Sequence, residues 1–284
     1  MSSTLFTDFD TFREIPEITC FYETIETCCK QLSTLSLSPH AAQPFYRLLF
    51  ARNLPGQEAY NEQEQKNSQD VYQQLTFKVF GSGFNFELTP DLVCDMNRQL
   101  RQNMPSKTRT PPGVIRTHNI VLKSAVDHNI DIPVMAGKYC QQELERLCTT
   151  TSNLLAHRTS EQARFEAVVY AALFHYCFGV IHPFGDANGR TARAIEAYIL
   201  MAGGVPLIAC NLLTNLYNHN RAEMQTRFWQ SRQHQDTFPV EYIEYAIRGF
   251  THLLKQVTEK ALELSKNTPA GIETHKIPVY ETAH

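Results

Sequence analysis

The sequence lacks a strong charge of either sign. Its 284 residues carry 26 Lys and Arg against 29 Asp and Glu, which gives a formal net charge of -3 at pH 7. A chain with this balance has no overall basic field to attract nucleic acid or anionic membranes. We therefore expect no nucleic-acid partner, and any site that binds an anion must be local.

A C-x-x-C pair is absent too, although the chain has eight cysteines. A chain of this length does not need disulfides to fold, so the cysteines are expected to be reduced and mostly buried. The first 16 residues show no basic start followed by an apolar segment, the pattern of a secretory signal. We expect a cytoplasmic location, in a bacterium or, for an exported effector or toxin, in the cytosol of its host.

No apolar run reaches the roughly 20 residues that a membrane-spanning helix needs. The longest, from Phe165 to Ile181, is interrupted by Glu166, His175 and Gly179. This segment is interpreted as a buried core helix, and no membrane span is expected.

Helical periodicity prevails elsewhere and predicts an all-α fold. Thr89 is a candidate N-cap, because Pro90 suits a first helical turn, and the helix is expected to end near Met104. Further helices are predicted at about 139–157, 190–202, 220–233 and 241–265. The polar segment 57–70 is either an exposed helix or a linker, and 114–122 is expected to form a short hairpin.

The chemistry lies in residues 182–193, with the sequence His-Pro-Phe-Gly-Asp-Ala-Asn-Gly-Arg-Thr-Ala-Arg. His182 is a titratable base whose ordinary pKa of about 6.5 suits proton transfer at neutral pH. Asp186 is the kind of hard carboxylate that Mg²⁺ prefers together with phosphate oxygens. Arg190 and Arg193 lie three residues apart on one helix face, where guanidinium groups can bind phosphate oxygens.

The backbone of the same segment adds an anion site. The N–H groups of residues 187–190 point out of a predicted helix N-terminus, where the helix dipole also favours negative charge. A P-loop is excluded because G-x-x-x-x-G-K-[S/T] is absent. Zinc ligation by His175, His182 and Asp186 would lack a compact ligand pair. These groups together favour phosphate chemistry.

The twelve residues resemble the signature of the Fic family, H-P-F-x-D/E-G-N-G-R-x-x-R. They match it at every defined position except 187, where alanine replaces glycine. The resemblance extends over roughly residues 89–255 and includes Pro112–Arg116, which is similar to the family's flap. It implies a Fic-type helical bundle with a small β-hairpin flap over the active-site loop.

The resemblance also implies an activity, protein adenylyltransferase, a nucleotidyltransferase that moves AMP from Mg-ATP to a Ser, Thr or Tyr hydroxyl of a target protein. In that activity His182 would be the general base and Asp186 would hold Mg²⁺. The nucleotide would be bound by Phe184, Ala187, Asn188, Gly189, Arg190 and Arg193, with Phe184 also anchoring the loop in the core. The target would dock on the flap residues Val114, Ile115 and Arg116 as an added strand.

Alternatives remain at this point. Alanine at position 187 also resembles family members that phosphorylate or transfer phosphocholine, so the donor could be CDP-choline, or a nucleotide that supplies UMP or GMP. Gly189 favours nucleotidyl transfer. A catalytically silent interaction module and a homodimer are further alternatives.

An inhibitory glutamate, known in many Fic proteins, has one candidate here. Glu23 ends the segment Thr19–Glu23, although Thr24 follows where glycine or asparagine is expected. The predicted organisation is an N-terminal helical segment, regulatory or target-binding, at 1–80, the Fic domain at 81–265 and a loosely ordered tail at 266–284.

Overall fold

The structure is a computed structural model. It describes residues 8–43, 62–105, 108–123, 131–156, 162–233, 237–269 and 271–280. Its α-helices are α1 (Pro16–Thr19), α2 (Tyr22–Thr34), α3 (Glu62–Phe80), α4 (Pro90–Leu100), α5 (Cys140–Ala156), α6 (Ala163–Ile181), α7 (Asn188–Ala202), α8 (Leu212–His219), α9 (Arg221–Gln233) and α10 (Val240–Lys266). The short strands are β1 (Ser36–Leu37), β2 (Val121–Lys123), β3 (Asp131–Pro133) and β4 (His275–Lys276). The fold is all-α with small antiparallel sheets, as predicted.

Helix α6 is the centre of the core. Every residue from Phe165 to Phe178 is buried, and the helix packs against α2, α5, α7 and α10. By length and composition α6 could cross a membrane, but 89% of its most apolar 18-residue window is buried inside the protein. A helix that is apolar on all sides and covered on all sides is a core helix.

Helix α4 begins as the sequence predicts and ends earlier than expected. Thr89 accepts a hydrogen bond from the Leu92 N–H through its hydroxyl, at 3.2 Å. The last turn is closed by the Arg101 N–H, and Asn103 adopts a left-handed conformation with φ 57°. The helix therefore stops at Leu100 instead of Met104, because a left-handed residue cannot continue it.

The N-terminal residues belong to the same core. Glu26 on α2 accepts hydrogen bonds from the Arg164 and Phe165 N–H groups, both at 3.0 Å, so it caps the first turn of α6. It also pairs with the Arg164 guanidinium at 3.2 Å. Because α6 is about 28 Å long at 1.5 Å per residue, Glu26 fixes the end of this helix that lies far from the residue 182–193 loop.

The tail, predicted to be loosely ordered, contacts the rest of the protein over residues 271–280. Strand β4 pairs with β1, and Ile277 is buried. The Tyr280 hydroxyl donates to the Phe84 carbonyl at 3.2 Å. Contacts with residues far away in sequence hold this segment, and its own sequence has no periodicity that would indicate them.

The hairpin lies further along the chain than predicted. Strands β2 and β3 pair antiparallel, with Val121 opposite Pro133 and Leu122 opposite Ile132. Residues 114–116, which were expected to be part of it, run beside the loop at 182–183 instead. The polar segment, whose assignment was open, is helical from Glu62; residues 57–61 lie outside the described residues.

Candidate active site

The loop after α6 is bounded by two residues in the left-handed region. His182 caps α6 with φ 48° and donates its N–H to the Phe178 carbonyl at 2.8 Å. Ala187 precedes α7 with φ 64°. A left-handed non-glycine residue costs about 1–2 kcal/mol, and such residues persist where the surrounding structure fixes them. The chain thus turns twice within six residues, which brings the loop back against its own helices.

Arg116 holds this loop from outside the motif, which corrects its predicted role as a docking residue. Its side chain is fully buried and donates to four carbonyls, those of Ile181, His182, His118 and Met135, at 2.7–2.9 Å. Its backbone N–H donates to the Pro183 carbonyl at 2.8 Å. A buried guanidinium with four of its five N–H donors bonded inside the protein is not available to a docking target. It is a structural brace.

Asn188 and Phe184 close the loop on itself. The Asn188 side chain accepts from the Phe184 N–H at 2.9 Å and donates to the Phe184 carbonyl at 2.8 Å. Phe184 is buried beside Phe178, as expected for the anchor of the loop. The Asn188 side-chain amide was predicted to support phosphates. In the structure it holds the loop in shape through its two bonds to the Phe184 backbone.

His182 is kept neutral by its surroundings. Its pKa is lowered to about 4, mainly by burial and then by the nearby Arg116 guanidinium, while a hydrogen bond to the Gly179 backbone and the Asp186 charge oppose the shift. An imidazole with this pKa is unprotonated at pH 7 and can accept a proton.

Asp186 is surrounded by donors. Its Oδ2 lies 2.8 Å from Arg101 Nη1, and its Oδ1 accepts from the Ala187 N–H at 2.5 Å. Arg190 Nη2 is 3.5 Å from Oδ1. The side chain remains 32% exposed, so the carboxylate is held in place and still faces the solvent side of the loop.

The two arginines of the loop differ in their surroundings. Arg190 Nη1 lies 2.5 Å from Oε1 of Glu64 on α3, with both side chains mostly buried. Burial lowers the Arg190 pKa, and the Glu64 and Asp186 charges raise it again. Burial also lowers the pKa of Arg193, and the Glu196 charge is the main influence that raises it again. Arg193 makes no ion pair within 4 Å among the residues that the structure describes.

A cavity of about 470 Å³ brings these groups together. The motif residues on its wall are His182, Gly185, Asp186, Ala187, Asn188, Gly189, Arg190 and Arg193. The hairpin borders it through Leu122, Lys123 and Ile132, and α8 and α9 close the far side with residues that include Tyr217, Asn218 and Phe228. One cavity therefore offers a neutral base, a carboxylate, two guanidiniums and a helix N-terminus, which suits a nucleotide with its phosphates at the loop.

His175 is a buried, paired histidine, in line with its sequence interpretation. Its Nδ1 lies 2.9 Å from Glu196 Oε2, and its ring meets Tyr217 edge-on. It also lines the cavity. Across the described ranges no three His, Cys, Asp or Glu side chains group as metal ligands.

Comparison with known proteins agrees with this geometry. Residues 87–200 match the model of the Fic/DOC family. They form a Fic domain. Proteins named protein adenylyltransferase Fic are similar to this chain: that of Aedes aegypti is 31% identical over 104 residues, that of Nematostella vectensis 32% over 114, and that of Drosophila yakuba 37% over 98. These matches cover 34–36% of the chain but only 16–25% of the relatives' own lengths.

Solved Fic structures share the fold. Fic-1 from C. elegans superimposes with a TM-score of 0.53 at 21% identity, over 89% of this chain and 66% of that one. A Fic domain-containing signaling protein from Bacteroides thetaiotaomicron gives 0.56 at 16% identity, over 90% and 98%. The likeness in fold thus reaches well beyond residues 87–200.

The loop at 182–193 carries a side chain of the kind that holds Mg²⁺. Mg²⁺ is commonly held by one or two carboxylates together with substrate phosphates. Asp186 is one such carboxylate, it is partly exposed, and it lies on the cavity that also holds Arg190 and Arg193.

Glu23, the predicted inhibitory residue, does not contact the loop at 182–193 in this structure. It is exposed in the first turn of α2, and no ion pair in the described part of the chain joins it to Arg193. Helix α2 meets α6 at Glu26, at the end away from the loop. In the described ranges, the glutamate that forms an ion pair with a motif arginine is Glu64, on Arg190.

Sequence reasoning missed Glu64 and Arg101. Glu64 lies in a polar segment with no local signal for a tertiary contact. Arg101 had one: Val93, Asn97 and Arg101 share one face at i, i+4 spacing, and that face is otherwise apolar. Polar residues on the buried face of a helix indicate a partner inside the protein. Asn97 and Arg101 both contact Asp186.

Proposed function

We propose that this chain is a protein adenylyltransferase, which transfers AMP from ATP to a hydroxyl of a target protein. One observation carries the proposal: His182, Asp186, Arg190 and Arg193 line a single cavity of nucleotide size. The names of the relatives that match the Fic domain support AMP as the transferred group. Gly189 agrees with them.

His182 acts as the general base. The target hydroxyl oxygen attacks the α-phosphorus, the bond to pyrophosphate breaks, and the hydroxyl proton passes to the imidazole nitrogen that is not bonded to Gly179. The low pKa of His182 leaves this nitrogen free at neutral pH. Correct placement of the base and the phosphates supplies most of the acceleration, because this type of transfer needs little covalent help from the protein.

The phosphates lie against the N-terminus of α7. Its first N–H groups and the guanidinium of Arg193 provide positive charge without further movement. Arg190 adds a second guanidinium once its pair with Glu64 loosens. Mg²⁺, held by Asp186, supplies further charge neutralisation on the donor phosphates when bound.

The hairpin is the proposed docking element for the target. It borders the cavity, and Val121 on β2 is 60% exposed. An extended target segment can pair with a strand edge through its main chain, with the hydroxyl over the cavity. The proposed docking therefore uses β2 and β3. Of the flap predicted at 114–116, Val114 is 47% exposed and Ile115 is partly buried against the core.

The test is the intact mass of the protein after incubation with Mg²⁺ and ATP, because Fic proteins often modify their own hydroxyls. We expect a gain of one AMP in the wild type and none in His182→Ala. His252→Ala, which changes an exposed histidine on α10, is the matched control and should keep the adduct. An adduct that persists in His182→Ala, or one that forms from CDP-choline and not from ATP, would contradict the proposal.

A further inference from the structure

Asp186, the carboxylate that would hold the metal, is already paired with the guanidinium of Arg101. Asp186 Oδ2 lies 2.8 Å from Arg101 Nη1, and the Arg101 side chain is only 4% exposed. Arg101 Nη2 also donates to the Pro105 carbonyl at 2.6 Å. The guanidinium is therefore fixed in its position, unlike a surface arginine that can swing away into water.

Helix α4 also holds the backbone of the same residue. Asn97, one turn before Arg101, donates from Nδ2 to the Asp186 carbonyl at 3.0 Å and accepts from the Gly113 N–H at 2.9 Å. The end of α4 thus binds Asp186 at both its main-chain carbonyl and its carboxylate.

The ion-paired side chains around Asp186 balance in charge without a metal ion. Arg101 and Arg190 carry two positive charges, and Asp186 and Glu64 carry two negative ones, so the four side chains sum to zero. A divalent cation on Asp186 would lie within about 5 Å of the Arg101 guanidinium, where repulsion in a partly buried site is strong. Negatively charged phosphates of a bound donor would reverse this balance.

We propose that Arg101 is a positioning residue that makes metal binding at Asp186 depend on the donor: it holds the carboxylate in place and repels a divalent cation that arrives without phosphates. This rests on the proposed function, because it takes the donor to be a nucleotide. In consequence the metal and the nucleotide enter together, and the loop does not collect free divalent cations.

The experiment measures binding of Mn²⁺, as a probe for Mg²⁺, by the loss of its free electron paramagnetic resonance signal. Wild-type protein should bind Mn²⁺ weakly alone and at least about tenfold more tightly with a non-hydrolysable ATP analogue present. Arg101→Met should bind Mn²⁺ without the analogue, at least about tenfold more tightly than the wild type, because Asp186, Glu64 and Arg190 then sum to one negative charge. Arg101→Lys, which keeps the charge, should behave like the wild type.

Two controls isolate the site. Arg98→Met, on the exposed side of the same helix, also frees a carboxylate, that of Asp95, and should show no gain in Mn²⁺ affinity. Adding Asp186→Asn to Arg101→Met should abolish the gain. Arg101→Gln, which removes the charge but keeps a hydrogen-bond donor, takes the place of Arg101→Met if that variant does not fold.

Either of two results overturns the proposal: wild-type protein that binds Mn²⁺ equally well with and without the analogue, or neutral variants at position 101 that show no gain. Neither measurement requires turnover. If the wild type forms no AMP adduct while Mn²⁺ binds as expected, the proposed activity fails and the role of Arg101 stands. If the adduct forms and the Mn²⁺ results do not follow, only the role of Arg101 fails.

Discussion

Replacing Glu64 with glutamine should strengthen donor binding. Arg190 is one of the two motif guanidiniums on the cavity, and in the structure its Nη1 is bonded to Glu64 Oε1 at 2.5 Å. A donor phosphate that uses this guanidinium must first displace the glutamate. Glu64 therefore competes with the donor, although it belongs to a helix outside the motif.

The size of the effect follows from the burial of the pair. The Arg190 and Glu64 side chains are 12% and 17% exposed, so water screens the interaction only partly. A hydrogen bond between charged groups in such a setting contributes about 1.5–3 kcal/mol. If the donor recovers this energy when the carboxylate is removed, its Kd falls by about ten- to a hundredfold. Because glutamine still offers an oxygen to Arg190, we expect the lower end of this range.

The assay is calorimetric titration of a non-hydrolysable ATP analogue into Glu64→Gln and wild-type protein, followed by the KM for ATP in self-modification. Glu62→Gln is the matched control, because Glu62 is an exposed glutamate in the same first turn of α3. It should leave Kd unchanged. An unchanged or higher Kd in Glu64→Gln would refute the reasoning, since it would mean that Glu64 orients Arg190 for the donor instead of competing with it.

Transfer activity should stay constant from pH 7 down to about 5 and fall as the pH passes 4. The reason is that the pKa of His182 is lowered and only the unprotonated imidazole accepts a proton. An inflection near pH 6.5 in kcat/KM would contradict this. Glu26→Ala should lower the free energy of unfolding by about 3 kcal/mol, since it leaves the cap of α6 and Arg164 without their carboxylate. Urea unfolding measures the loss, and Glu23→Ala, an exposed change on the same helix, should stay within about 0.5 kcal/mol of the wild type. Ala187→Gly should raise the free energy of unfolding by about 0.5 kcal/mol, because relief of the left-handed alanine outweighs the lost methyl group and the extra freedom of glycine when unfolded; a lower Tm would show the opposite balance.

Elements with a strong local pattern were predictable from the sequence. The apolar run before His182 gives α6, because a helix with no polar face has to be buried on every side. Thr89 and Pro90 gave the start of α4 correctly, since capping depends on a few neighbouring residues. The residue types in the 182–193 loop indicated phosphate chemistry before any geometry was known, because the base, the carboxylate and both arginines lie within twelve residues of one another.

The position of the hairpin and the contacts of the tail could not be predicted from local patterns. Residues 114–116 have an extended character that suits a strand, but Arg116 is drawn into the protein by four carbonyls around the end of α6. The tail has no pattern of its own and is held by β1. In both cases the partner lies far away along the chain, and a local pattern does not contain it.

The sequence by itself determined the central helix, the loop that follows it and the groups that the loop carries. Only the tertiary structure decided which charges face those groups: Arg101 on Asp186, Glu64 on Arg190, and a buried environment that keeps His182 neutral. The reason is physical. A residue's type and its position within a helix are local properties, whereas a pKa or an ion pair depends on which distant elements pack against it and how much water they exclude.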